Sequence, residues 1–199
     1  YGDWVIVDQA GRIIACQGDP QLRTYFRSAA KPIQALPVVE QGAADHFGFT
    51  DAELAVTCAS HSGEPEHLAA VSSMLAKMGL DHTALQCGIH PPKDPNQQRL
   101  LAVTGAEPTQ LHNNCSGKHA GMLALCLYNG WDRDKYTDPD HPLQRLLISY
   151  ISEFCGTPAD KISLGIDGCG VPVYGVSIAA MALAWARLAD PSQFGQQRI

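Results

Sequence analysis

Two apolar runs open the chain, Trp4-Val5-Ile6-Val7 and Ile13-Ile14-Ala15-Cys16, separated by the polar, glycine-bearing stretch Asp8-Gln9-Ala10-Gly11-Arg12. That pattern predicts a β-hairpin. After a polar interval the period lengthens. Ile33, Leu36, Val38 and Val39 recur at helical spacing, and Gly42 supplies the stop. Thr50-Asp51-Ala52-Glu53 is a capping-box pattern, in which threonine and glutamate each accept the other's backbone N–H, and it opens a short helix toward Val56. Glu64-Pro65 opens a longer helix ending at Gly79, since the N–H that proline lacks is unpaired in a first turn anyway. Further helices are predicted from Gly117 to Tyr128, stopped by Gly130, from His141 to Phe154, stopped by Gly156, and from Val173 to Leu188. A short strand, Ile162 to Ile166, runs into Asp167-Gly168-Cys169-Gly170.

Helices dominate this pattern and three strands are evident, so the fold class is α+β, an antiparallel sheet flanked by helices. An isolated hairpin is marginal in water, and further sheet partners are expected from a C-terminal part that the chain lacks. Residues 1–199 read as a single domain without repeats, low-complexity segments or linkers. The chain begins at Tyr1 already in a strand-like pattern and stops just after a helical one, so both ends read as cut.

Composition narrows the function classes. A chain that is 45% hydrophobic and 17% charged builds an ordinary folded core. A net charge of −6, with no Lys/Arg-rich run, argues against nucleic acid or an anionic membrane and leaves a small-molecule substrate as the default. The longest apolar stretch, Val171 to Ala186, is broken by Pro172, Tyr174, Gly175 and Ser177 and falls short of the roughly 20 residues that span a bilayer. Seven cysteines, an odd number without close paired spacing, point to reduced thiols and a cytoplasmic location.

Four polar clusters carry the candidate chemistry. Ser28-Ala29-Ala30-Lys31 is an S-x-x-K pattern, whose hydroxyl and amine can meet on one helix face. Lysine acts as a base only where burial or a neighbouring cation lowers its pKa from about 10.4, so the motif calls for a partly desolvated pocket. Pro32 disfavours helical torsions at Lys31 unless a helix starts there, which puts Ser28 in the first turn, near backbone N–H groups able to hold an oxyanion. The same residues also fit a capping serine and a surface lysine. Ser60-His61-Ser62-Gly63 places hydroxyls and an imidazole in a tight loop before a helix; Ser60 either relays a proton or, like Ser62, caps that helix. His112 to His119 is the densest polar cluster and runs directly into an apolar helix. Its Cys115, with Cys169 between two glycines, offers two soft sulfurs to a zinc ion, the set completed by a histidine or the neutral Lys118 amine, or these are simply buried cysteines. A nucleophilic Cys115 paired with His119 is a further reading. Asp167 is placed to meet a substrate ammonium, to orient Lys118, or to make an Asx-turn.

In their order and spacing, the blocks Arg27 to Pro32, Ala59 to Glu64, Asn113 to His119 and Asp167 to Pro172 resemble the L-asparaginase II family of the Rhizobium type, over essentially the whole chain. The resemblance implies a fold like that of serine β-lactamases and glutaminases, hydrolysis of L-asparagine to aspartate and ammonia, and a homodimer. It implies Ser28 as nucleophile activated by Lys31, with Ser60 in a second serine–lysine tandem. Cys115, Lys118 and Cys169 would hold zinc that aids substrate binding. Arg27, His61, Asn114, Lys118, His119 and Asp167 would contact substrate. The family's further catalytic lysine lies downstream of where this chain ends. Two rival readings stay open: a related S-x-x-K amidase, such as a glutaminase or β-lactam-type hydrolase, and a non-catalytic zinc- or amino-acid-binding module.

Overall fold

The computed structural model describes residues 2–190 and residue 192. β1 (Trp4–Val7) and β2 (Ile13–Gln17) form the expected antiparallel hairpin, with Val5 opposite Cys16 and a bulge between Ile6 and Val7. Its loop closes on Asp8, whose Oδ1 accepts from the N–H groups of Ala10 and Arg12. β3 (Arg23–Tyr25) follows, then a 3-10 turn over Arg27–Ala30 that runs straight into α1 (Lys31–Glu40). Five helices come next: α2 (Ala43–Phe47), α3 (Asp51–Thr57), α4 (Pro65–Lys77), α5 (Pro95–Thr104) and α6 (Ser116–Asn129). The described chain closes with α7 (Pro142–Cys155), β4 (Ser163–Ile166), β5 (Pro172–Ser177) and α8 (Ile178–Ala189). This is an α+β fold with two small antiparallel sheets, β1-β2 and β3-β5-β4.

The stretch from Val173 to Leu188 is not one helix. Its first part is β5, the middle strand of the second sheet, with Leu164 and Thr24 opposite Tyr174 and Val176. β5 is buried at every position but its last, so its apolar residues run without alternation and carry no period that separates strand from buried helix. The switch falls at Ser177, whose Oγ accepts the N–H of Ala180 and caps α8. The Thr50–Glu53 capping box forms in both directions, and Lys77 adds an ion pair to Glu53 at 2.6 Å.

The core is built around α6, buried at every residue from Ser116 to Cys126 and packed against α1, α3, α4 and α7. α7 contributes Leu143, Leu147, Ile151 and Phe154 from one face, each such side chain worth roughly 1.5–3 kcal/mol when fully buried. At Gly117 a β-carbon would lie 2.2 Å from the backbone oxygen of Val56. Only glycine lets the start of α6 sit this close to α3, and that contact brings the Cys115 segment to the loop carrying Ser60. All seven cysteines are free thiols. Among the described residues no helix is long and apolar enough to cross a membrane.

Candidate active site

The turn carrying Ser28 is anchored on the sheet, where the N–H of the buried Phe26 donates to Tyr174 O on β5 at 2.8 Å. Next to it Arg27 has φ of 48°, the left-handed torsion that non-glycine residues avoid. Lys31 is the first residue of α1 and holds helical torsions ahead of Pro32, so the helix starts where that proline requires. Ser28 itself lies in the preceding 3-10 turn.

Lys31 is only 1% exposed, and its Nζ donates to Ser60 Oγ at 2.8 Å, Ala59 O at 3.1 Å and Asn114 O at 3.3 Å. Ser60 Oγ in turn donates to Ser28 Oγ at 3.0 Å. Ser60 therefore stands between the other two, and the amine reaches the Ser28 hydroxyl through it. Burial pushes the Lys31 pKa below that of a free lysine; the Cys115 sulfur opposes the shift and Lys118 adds to it.

The α6 end supplies the sulfur cluster. Asn113 shapes its approach: Oδ1 accepts the Cys115 N–H at 2.9 Å, and Nδ2 donates to Cys87 O at 2.7 Å. One turn into α6, Lys118 Nζ donates to Cys169 Sγ at 3.0 Å. The two thiols act as a pair. Cys115 keeps its proton and donates it toward Cys169, so its pKa rises, while Cys169 is favoured as thiolate by Cys115, against burial, and by His119 and Lys118. Asp167 Oδ1 accepts the Gly168 N–H at 2.9 Å and pairs with Arg27 Nη2 at 3.0 Å, so it both shapes the turn and meets a cation.

Arg27, Ser28, Asn114, Cys115, Asp167 and Cys169 line one polar cleft of about 240 Å³, joined by His90 and Asn113. That is below the roughly 300–1,000 Å³ of sites for drug-sized ligands and suits a molecule the size of an amino acid. Lys31 and Lys118 sit behind its wall, reaching it through Ser60 and Cys169. Besides Lys118, two further expected substrate contacts do not line it. His61 is buried with both ring nitrogens in use: Nε2–H donates to Ser116 Oγ at 2.7 Å, Ser116 Oγ passes its own proton to Leu111 O, and Nδ1 accepts the Gly63 N–H. It borders a second cavity of about 370 Å³, walled by Ala52, Ala55, Ala59 and Ala70, which Ser60 also borders. His119 is sealed in the core against Tyr136. His90 was not singled out by sequence pattern; its Nδ1 donates to Pro91 O at 2.8 Å and its Nε2 accepts the Asn114 N–H at 3.1 Å.

A buried amine relayed through one serine to another, opening on a small polar cleft beside paired opposite charges, equips an amidohydrolase. The comparison with known families agrees: the model for L-asparaginase II matches residues 1–199, and the chain belongs to that family. No curated protein matches the chain.

Proposed function

We propose that this protein hydrolyses L-asparagine to aspartate and ammonia through an acyl-enzyme on Ser28. The observation that carries the reading is the Lys31–Ser60–Ser28 chain, with links of 2.8 and 3.0 Å, ending at the cleft wall. Lys31, its pKa lowered by burial, acts in its neutral form. In that form its two hydrogens stay on Ala59 O and Asn114 O and its lone pair faces Ser60, whose hydroxyl turns from Ser28 to Lys31. As Ser28 Oγ attacks the side-chain amide carbon, its proton passes to Ser60 Oγ and the Ser60 proton passes to Lys31 Nζ. The relay then runs backward, returning a proton to the departing nitrogen, and ammonia leaves. Water enters along the same path to cleave the Ser28 ester. Backbone N–H groups at the Arg27–Ala30 turn hold the developing oxyanion.

Arg27 and Asp167 recognise the rest of the substrate. They pair with one another at 3.0 Å, and an amino acid zwitterion offers each a replacement partner, carboxylate to Arg27 and ammonium to Asp167. Zinc belongs to the same reading. The donor set fits it: two free thiols lining the same cleft, with the Lys118 amine 3.0 Å from the Cys169 sulfur. Cys115, Cys169 and Lys118 would hold the ion, which supplies a Lewis-acid anchor for substrate at that wall.

Ammonia release from L-asparagine and L-glutamine, with Ser28→Ala as control, tests the proposal. Asparagine-selective release that vanishes in Ser28→Ala is expected. The extra methylene of glutamine is worth roughly 10–200-fold in a fitted pocket. Release that persists in Ser28→Ala overturns the Ser28 acyl-enzyme, and no release from either amide overturns the hydrolase reading and favours a binding module.

A further inference from the structure

The segment from Cys87 to Asp94 is bonded to both loops on which the relay is built. Cys87 O and Gly88 O accept from the Asn113 side-chain amide at 2.7 and 3.2 Å, which ties the segment to the approach of α6. The N–H groups of Lys93 and Asp94 donate to Ser62 O at 2.7 and 2.9 Å, which ties it to the loop carrying Ser60. His90 stands between these two attachments, half-buried, and lines the cleft.

The two ring nitrogens of His90 have opposite duties. Nδ1 is 2.8 Å from Pro91 O, a carbonyl that can only accept, so Nδ1 carries a proton. Nε2 is 3.1 Å from the Asn114 main-chain N–H, which can only donate, so Nε2 offers its lone pair. Both contacts demand the same neutral ring. The other tautomer would face Pro91 O with a lone pair and set two N–H groups against each other. In exchange it gains one contact, to Asn114 Oδ1 at 3.4 Å, longer than a good hydrogen bond of this kind.

Asn114 is the residue this ring holds, and its carbonyl helps to aim the base. Asn114 O accepts from Lys31 Nζ at 3.3 Å and from the His61 N–H at 3.2 Å. A neutral amine has two hydrogens and one lone pair. With the hydrogens on Ala59 O and Asn114 O, the lone pair is left for Ser60 Oγ at 2.8 Å. If Asn114 O shifts, the amine is free to rotate on its flexible stem and the lone pair loses its direction.

We propose that His90 is a positioning residue, fixed by Pro91 O as the Nδ1–H tautomer, whose Nε2 pins Asn114 by its N–H and so keeps the Asn114 carbonyl where it directs the Lys31 lone pair at Ser60. The role rests on the relay as the catalytic device. It accounts for a histidine in the cleft wall whose two nitrogens are both spent on the chain's own backbone.

Ammonia release by His90→Phe and His90→Gln tests it. His90→Phe keeps a ring but has no acceptor, so kcat is expected to fall about 10–100-fold. KM for L-asparagine, set by Arg27 and Asp167, is expected to stay close to wild type. His90→Gln, whose side-chain oxygen reaches about as far as Nε2 and accepts the same N–H, is expected to recover most of the loss. Unchanged kcat in His90→Phe, a loss confined to KM, or no recovery in His90→Gln overturns the proposal. Two readouts do not depend on turnover. Long-range proton–nitrogen correlation spectra of wild-type protein labelled with 15N-histidine, in mildly alkaline buffer, are expected to show His90 as Nδ1–H, and hydrogen exchange at the Asn114 amide is expected to speed up in His90→Phe. A proton on Nε2, or unchanged exchange, overturns the proposal too. If neither amide is turned over these two readouts decide alone, so failure of the hydrolase reading is distinguishable from failure of this one; if His90→Phe does not fold, the wild-type spectrum and His90→Gln decide.

Discussion

Gly117→Ala should destabilise the protein, reversing the usual sign of a glycine-to-alanine change on a helix, which gains up to about 1 kcal/mol in propensity. The new β-carbon would sit 2.2 Å from Val56 O and 2.7 Å from Val56 C. Both are backbone atoms of α3, so no rotamer change relieves the contact and the two helices must separate. Overpacking of this kind costs typically 1–3 kcal/mol, and a collision with backbone belongs at the upper end; the net expectation is a loss of roughly 2 kcal/mol. With a urea slope on the order of 2 kcal/mol per molar, the unfolding midpoint falls by about 1 M. Gly121→Ala is the internal control, because its nearest neighbours are side-chain methyls of Thr57 and Val38 at 3.3 and 3.4 Å, which can give way. Since α3 leads to Ser60 and α6 carries Cys115 and Lys118, separation also misplaces the relay, and ammonia release should drop by about 100-fold. A Gly117→Ala midpoint at or above that of wild type would refute the close α3–α6 approach.

Lys31→Met should cut ammonia release by roughly 10²–10⁴-fold, and Lys31→Arg should not restore it, because a guanidinium does not release its proton; activity recovered by arginine would argue against a lysine base. The same Lys31→Met change should cost about 1–3 kcal/mol in urea unfolding, since Ala59 O loses its donor and Asn114 O keeps only the His61 N–H. Arg27→Gly relieves a φ of 48° but leaves the largely buried Asp167 carboxylate without its cation, so stability should change little while KM for asparagine rises; unchanged KM would contradict the recognition role. His61 is held to about pKa 4 by burial, with His67 and Lys31 adding to the effect, so the fold keeps it neutral. Its stability contribution is full above pH 6.5 and is lost as pH falls toward 4, and His61→Gln should flatten urea-monitored stability across that window. Glu53 acts at lower pH. Burial would raise its pKa, but hydrogen bonds from Lys77, Ser73 and Thr50 outweigh it and hold the group near 2, so its contribution is present above pH 4.5 and is lost toward 2.

Local signals carried much of the fold. The hairpin, the Thr50–Glu53 box and the glycine stops at Gly130 and Gly156 are read within a few residues, and the structure places each where its short-range chemistry puts it. β3 escaped notice because Arg23, Thr24 and Tyr25 are too short and too exposed to show alternation; only pairing with β5 makes them a strand. β5 merged with α8 because burial on both faces erases periodicity. α5 went unread although Asp94 and Pro95 signal its start, since its polar composition shows no clear apolar face. In the site, the identities of Ser28, Lys31, Ser60, Cys115, Lys118 and Cys169 stood out as residue types capable of chemistry. Their connectivity did not. That Lys31 meets Ser60 across 29 positions, and Ser28 only through it, follows from how α1, α3 and α6 pack. His90 and Tyr136 lie in irregular segments and meet their partners through long-range hydrogen bonds, for which no spacing pattern exists.

Peptide mass spectrometry of wild-type protein acid-quenched during turnover of L-asparagine tests the central claim most directly. An aspartyl adduct is expected on the peptide carrying Ser28, and much less of it in Ser60→Ala, where the broken relay slows the attack that forms the ester. An adduct on Cys115, or steady ammonia release with Ser28 never modified, would contradict the account.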